Sequence, residues 1–266
     1  FCGFPLFAES QGNALYPLFL LLFGLLKPWV AYNYYTVLHF LLAGLFTYIL
    51  ARVMHVGKAG ALLAGLCYML AGPVLYHAHH TNIVVGVCWL PLLLALMELA
   101  CRRRSVLALL GFAAATAALV LGAQPQYTIF CALACGLYLL WRLRMIQLTG
   151  ARARTVAGLL VAFALAAMLA GMIAAAQLLP LMELVGHTSR AAEQAWPPGI
   201  NPAVPGNLLT LFLPHYFGSP GLGSYWSDVD CGLYSEATLF LGIAPLFLAL
   251  VGVLTDRSRR ALVFGG

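Results

Sequence analysis

Read for polarity alone, the chain is a series of long apolar runs separated by short polar breaks. Seven runs read as transmembrane helices: Tyr32 to Met54, Ala59 to Tyr76, Ile83 to Ala100, Ser105 to Leu121, Tyr127 to Trp141, Thr155 to Val185 and Ala237 to Leu254. A helix needs ~20 apolar residues to cross a bilayer core, and the run Leu18 to Leu26 falls well short of that. With Lys27, Pro28 and Trp29 directly after it, this run reads as an interfacial or re-entrant helix anchored among the headgroups. His187 to Ser235 is the one long stretch suited to water. It holds turn formers from Trp196 to Gly206 and from Gly218 to Asp228, and aromatics at Trp196, Phe212, Tyr216, Tyr225 and Trp226. The predicted class is therefore all-α, a polytopic membrane protein of about seven spans with one long external loop. Its expected divisions are 1–31, the end of a first external loop with the interfacial helix; 32–186, a six-helix block; 187–235, the long loop; and 236–266, the last span and its cytoplasmic end.

Composition agrees. Of 266 residues, 63% are hydrophobic and 8% charged, and the mean hydropathy is +0.93. Soluble domains carry about 25% charged residues. The runs are too long and too continuous for the alternating strands of a membrane β-barrel.

Charge placement then gives an orientation. Arg52, Lys58, Arg102 to Arg104, Arg142, Arg144, Arg152, Arg154, Arg257, Arg259 and Arg260 fall on one side of the predicted spans. Lys27 and Arg190 fall on the other. The positive-inside rule makes the arginine-rich side cytoplasmic and puts the long loop outside. The net charge of +6 comes from these short clusters rather than from a basic face, which excludes nucleic acid as partner.

Candidate chemistry lies on the outer side. Ionisable groups at a membrane boundary are costly to keep there, so they are functional candidates by default. The polar and ionisable groups there are Glu9, the His77, His79 and His80 group, Gln124, Gln126, Gln177, Glu183, Arg190, Glu193, Asp228, Asp230 and Glu236. Asp228-Val-Asp230, if extended, places both carboxylates on one face, where hard oxygens suit Mg²⁺ or Mn²⁺. The histidines lack a spaced partner in sequence for a metal site, and Cys131 and Cys135 lack a companion histidine. Pro180, between Gln177 and Glu183, frees a helix carbonyl and is expected to turn both side chains towards a cavity. Cys2 and Cys231 are the two cysteines in external segments, so they are the one pair placed for a disulfide. No nucleotide fingerprint, P-loop or nucleophile elbow is present, and no nucleotide cofactor is expected. The chain starts at Phe1 without Met or signal peptide and reads as part of a longer protein.

Several blocks also carry a resemblance. Gly3-Phe-Pro-Leu-Phe-Ala-Glu-Ser-Gln11 with Leu15-Tyr16-Pro17, then Gln124-Pro-Gln126, Ala176-Gln177-Leu-Leu-Pro180-Leu-Met-Glu183-Leu, and Tyr234-x-Glu236 with Gly242-Ile-Ala-Pro-Leu occur in that order. Together they resemble the YfhO-type bacterial membrane proteins, themselves similar to the C-type glycosyltransferases. The resemblance implies transfer of a sugar from a polyprenyl-phosphate donor to a cell-envelope polymer of the teichoic-acid kind, on the outer face. It implies a catalytic carboxylate in the first external loop, where Glu9 is the acid this chain offers, with the main acid expected upstream of Phe1. Glu236 is the second catalytic candidate. His79, His80, Gln124, Gln126, Gln177, Glu183 and Arg190 are expected to bind substrate, and Asp228 and Asp230 a metal. Two other readings stay open: a transporter or flippase for a lipid or solute, and a non-catalytic assembly subunit.

Overall fold

Helix after helix begins where a residue without a useful N–H stands. Pro17, Pro28 and Pro125 each occupy the first position of a helix, where the missing donor has no intrahelical acceptor to lose. The structure, a computed structural model, describes residues 3, 5–150, 153–187, 205–227 and 234–255. It is all-helical, as the polarity pattern predicts. The helices are α1 (Pro17–Leu25), α2 (Pro28–Val53), α3 (Lys58–Met69), α4 (Gly72–Leu75), α5 (Thr81–Arg103), α6 (Val106–Gly122), α7 (Pro125–Leu148), α8 (Ala153–Gly186), α9 (Tyr234–Ala237) and α10 (Ile243–Thr255). Arg190, Glu193, Asp228, Asp230, Cys2 and Cys231 lie outside the described residues.

Four of these helices, α2, α5, α7 and α8, are long and apolar enough to cross a membrane; α3, α6 and α10 are shorter apolar helices. Two of the predicted spans are interrupted. The run Ala59 to Tyr76 divides into α3 and α4, because Pro73 has no N–H to offer the Met69 carbonyl. In the run Ala237 to Leu254 the chain leaves α9 at Ala237 and becomes helical again only from Ile243. Before that point its backbone is tied elsewhere: Leu239 N–H donates to Thr210 Oγ1 at 2.9 Å, and the Phe240 carbonyl accepts from Gly72 N–H at 2.8 Å. Gly242, at φ +96°, then supplies a turn that side-chain-bearing residues avoid.

The chain forms two compact units, residues 1–65 with 80–194 and residues 66–79 with 195–266. In the first, α5 is the central helix and packs on α2, α6 and α7. Its most apolar stretch is 61% buried, against 28% or less for the other three long helices. The outer helices invert the soluble pattern. Ile129, Phe130, Leu133, Leu137 and Leu140 make an exposed apolar stripe on α7 at helical spacing, as lipid contact requires. The inward stripes are built from small residues. Ala166, Ala170 and Ala174 are buried on α8, which packs against alanine-rich α6. Hydrophobicity alone does not drive helices together in lipid, so close backbone approach does. Gly65 is the extreme case: a Cβ there would lie 2.6 Å from the Gly44 carbonyl oxygen.

The predicted interfacial helix is α1. It lies against α2, with Phe19 and Phe23 both edge-on to Tyr35, so the two form an antiparallel hairpin. Lys27 sits 5.6 Å over the exposed Trp29 ring at its tip.

In the second unit, Thr210 is buried and ties Asn207 to the non-helical stretch before α10. The described part of the long loop, 205–227, folds into two short 3-10 turns and a knot of rings: Tyr216, Phe217 and Trp226 meet with centroids 5.0 to 5.6 Å apart.

Candidate functional site

The segment Pro5 to Tyr16 is too short and polar to hold a fold by itself, yet it is fixed at four points to the helices of the first unit. Gln177 of α8 is buried and donates from Nε2 to the Phe7 carbonyl at 2.8 Å. Asn82 in the first turn of α5 donates to Gln11 Oε1 at 3.4 Å. Asn13 turns the chain at φ 52°, a conformation asparagine tolerates, and its buried Nδ2 donates to the Tyr35 hydroxyl at 3.2 Å. Tyr16, fully buried, closes the segment.

The protons around Tyr16 can be assigned. His39 Nδ1 lies 2.7 Å from the Tyr35 carbonyl, which only accepts, so Nδ1 carries the hydrogen. His39 Nε2 is therefore the acceptor for the Tyr16 hydroxyl at 2.8 Å. Trp89 Nε1 donates to the same hydroxyl at 3.1 Å. Burial pushes the Tyr16 phenol well above its ordinary pKa, so it stays neutral. With every polar atom spent, Tyr16, His39 and Trp89 form a latch rather than a reactive group. Gly122 makes room for it: a Cβ there would lie 2.7 Å from the Tyr16 ring.

Glu9 is held between the first two anchors. It is half-buried and precedes a single 3-10 turn, Ser10–Gly12, whose Gly12 N–H donates to the Glu9 carbonyl at 3.4 Å. Gln124 joins the same region through its backbone N–H, which donates to the Asn82 carbonyl at 3.3 Å. The structure thus gathers the Glu9 segment, Gln124 and Gln177. It does not gather Glu183 with them. α8 runs unbroken through Pro180, so six residues place Glu183 on an exposed face while Gln177 is buried. Gln126 is exposed in the first turn of α7. His79 and His80 are exposed, and the His80 carbonyl accepts the Ile83 N–H at 2.9 Å at the start of α5. Glu236 lies in α9. Among the described residues no three His, Cys, Asp or Glu side chains converge to hold a metal ion. An apolar cavity of about 380 Å³ opens between α5, α6, α7 and α8, lined among others by Leu93, Met97, Phe112, Leu139 and Phe163.

At the arginine-rich end of the same bundle lies a second buried network that the polarity pattern does not announce. Glu98, 2% exposed, pairs with Arg102 one turn on. Its other oxygen accepts from Arg142 Nε and from the Tyr138 hydroxyl, each at 2.6 Å. The available signals were an acid inside the run Ile83 to Ala100 and its spacing of four from Arg102. For His39 the signal was a lone imidazole in the run Tyr32 to Met54.

A family model described as bacterial membrane protein YfhO matches residues 11–261. No curated protein and no solved structure matches the chain.

Proposed function

The chain belongs to the YfhO family of bacterial membrane proteins, and from that premise we propose that it is a membrane-embedded glycosyltransferase. The proposed donor is a polyprenyl-phosphate-linked sugar and the acceptor a cell-envelope polymer of teichoic-acid type. The observation that carries this reading is the fixed outer segment, which holds one carboxylate, Glu9, between the Gln177 and Asn82 anchors.

In the proposed reaction an acceptor hydroxyl oxygen attacks the anomeric carbon from the face opposite the phosphate. The carbon–oxygen bond to the phosphate breaks and its electron pair leaves with polyprenyl phosphate. Glu9 takes the hydroxyl proton as general base. A phosphate leaving group needs no strong acid. The apolar cavity between α5 and α8 offers part of the prenyl chain a dry wall. Arg190, Asp228 and Asp230, outside the described residues, remain the proposed groups for the donor phosphate and a divalent cation, and Glu236 a second carboxylate for the acceptor.

Glu9→Gln keeps the shape of the side chain and removes the base, so transfer should fall about 10²-fold or more. The check is the hexose content of the envelope polymer in a deletion strain carrying wild-type or variant protein. Undiminished hexose with Glu9→Gln removes Glu9 from the chemistry. Hexose unaffected by the deletion itself removes the glycosyltransferase reading and favours transport or assembly.

The orientation has its own check. With the native cysteines replaced, Gln126→Cys should react with an impermeant thiol reagent from outside the cell and Arg103→Cys only from inside, because both are exposed and lie at opposite ends of spans. Gly122, though closer to the helix end, is unsuitable because Tyr16 fills its space. Labelling of both positions from one side would contradict the topology.

A further inference from the structure

Away from the outer segment, the ends of α2 and α5 meet around a cavity of about 570 Å³. We propose that this corner binds the phosphate headgroup of an anionic membrane lipid. Its rim is cationic: Arg52 from the last turn of α2, with Arg102 and Arg103 from the last turn of α5. Its wall is apolar, built by Tyr48, Ile49 and Leu99. The inference does not depend on the sugar-transfer reaction.

Among the described residues, charge at this corner is not balanced from within. Arg102 and Arg142 share the single carboxylate of Glu98. Arg52 spends one N–H on the Val56 carbonyl at 2.7 Å, a neutral partner. Arg103 is exposed and has no hydrogen-bond or ion-pair partner among the described residues. His55 Nε2 accepts from Arg102 Nη1 at 2.6 Å. Arg102 also donates to the Val53 carbonyl at 2.9 Å, which fixes the turn after α2 against the end of α5. The corner therefore keeps Arg52 and Arg102 in place before any ligand arrives.

That combination suits a lipid better than a soluble anion. A phosphate accepts forked hydrogen bonds from guanidinium groups, and basic pockets between helices at the membrane surface hold anionic headgroups. The apolar wall continues the side of α2 that spans the membrane, so the first carbons of a lipid chain have a surface to lie on. A free phosphate would leave that wall in water.

The experiment is a lipid titration of the full chain in micelles, read by native mass spectrometry, with phosphatidylglycerol against phosphatidylcholine. Wild type should retain phosphatidylglycerol selectively. Arg103→Gln, which breaks no internal bond, should weaken that retention about five-fold, and Arg52→Gln with Arg103→Gln roughly 25-fold, at about one arginine's share each. Arg102 is left in place because it balances Glu98. Arg104→Gln with Arg154→Gln removes two charges from a neighbouring cavity and should change retention less than about two-fold. Equal losses from the two pairs would reduce the effect to general surface charge and overturn the site. So would equal retention of the two lipids, or displacement of phosphatidylglycerol by the same concentration of inorganic phosphate.

Discussion

Glu98→Ala should cost about 3 kcal/mol of stability, the largest single loss expected on the arginine-rich side. Breaking a buried ion pair from one side costs about 3–5 kcal/mol, because the remaining charge is stranded. Here the stranded groups are Arg102 and Arg142, whose side chains are 29% and 19% exposed. Long arginine stems let part of that charge reach water, which selects the lower end of the range. Glu98→Gln keeps the volume and some of the hydrogen bonds and should cost about 1–3 kcal/mol. The checks are unfolding midpoints in a single detergent. A loss of 3 kcal/mol corresponds to a fall of roughly 6–12 °C for a chain of this order of size. A Glu98→Ala protein melting with wild type would show that α5 and α7 are not held by this carboxylate.

Tyr16→Ala is expected to do comparable damage at the other end of the bundle, and to impair function as well. Deleting a fully buried aromatic costs about 3–5 kcal/mol through lost contacts and the cavity left behind. Tyr16 is 0% exposed and stands against Gly122, Tyr35 and His39. Tyr16→Phe keeps the ring and strands His39 Nε2 and Trp89 Nε1, at about 1–3 kcal/mol. The two variants separate packing from hydrogen bonding. Because Tyr16 closes the segment that carries Glu9, the proposed sugar transfer should fall at least about ten-fold in Tyr16→Ala with Glu9 intact, as misplacement of a catalytic group by an ångström is enough to do so. Full transfer by a destabilised Tyr16→Ala protein would mean that docking of this segment does not position the proposed base.

The candidate site was only half legible. Glu9, Gln124 and Gln177 stand in polar breaks or near helix ends, where a polar residue is conspicuous. His39 and Glu98 stand inside apolar runs, where one polar residue among many apolar ones carries no sign of a partner. Trp89 and Tyr16 were harder still, since an aromatic in such a run is indistinguishable from lipid-facing or core packing until its neighbour is known. The Gln177 and Glu183 pair failed for a different reason. A proline suggests a bend, but α8 continues through Pro180, and helical periodicity then sends the two side chains to different faces.

What the sequence determined by itself was the membrane class, the helical architecture and most helix boundaries. These are local properties: some twenty apolar residues in a row have one way to satisfy their backbone in lipid. Proline and glycine mark where that way ends. Tertiary structure decided everything that depends on residues meeting across the chain. It split two predicted spans, because Pro73 broke one and long-range hydrogen bonds to Thr210 and Gly72 held the start of the other out of a helix. It joined Tyr16 to His39 and Trp89, and Glu98 to Arg142. A polar side chain within an apolar run has the same sequence surroundings whether it meets lipid or a partner, and only packing tells the two apart.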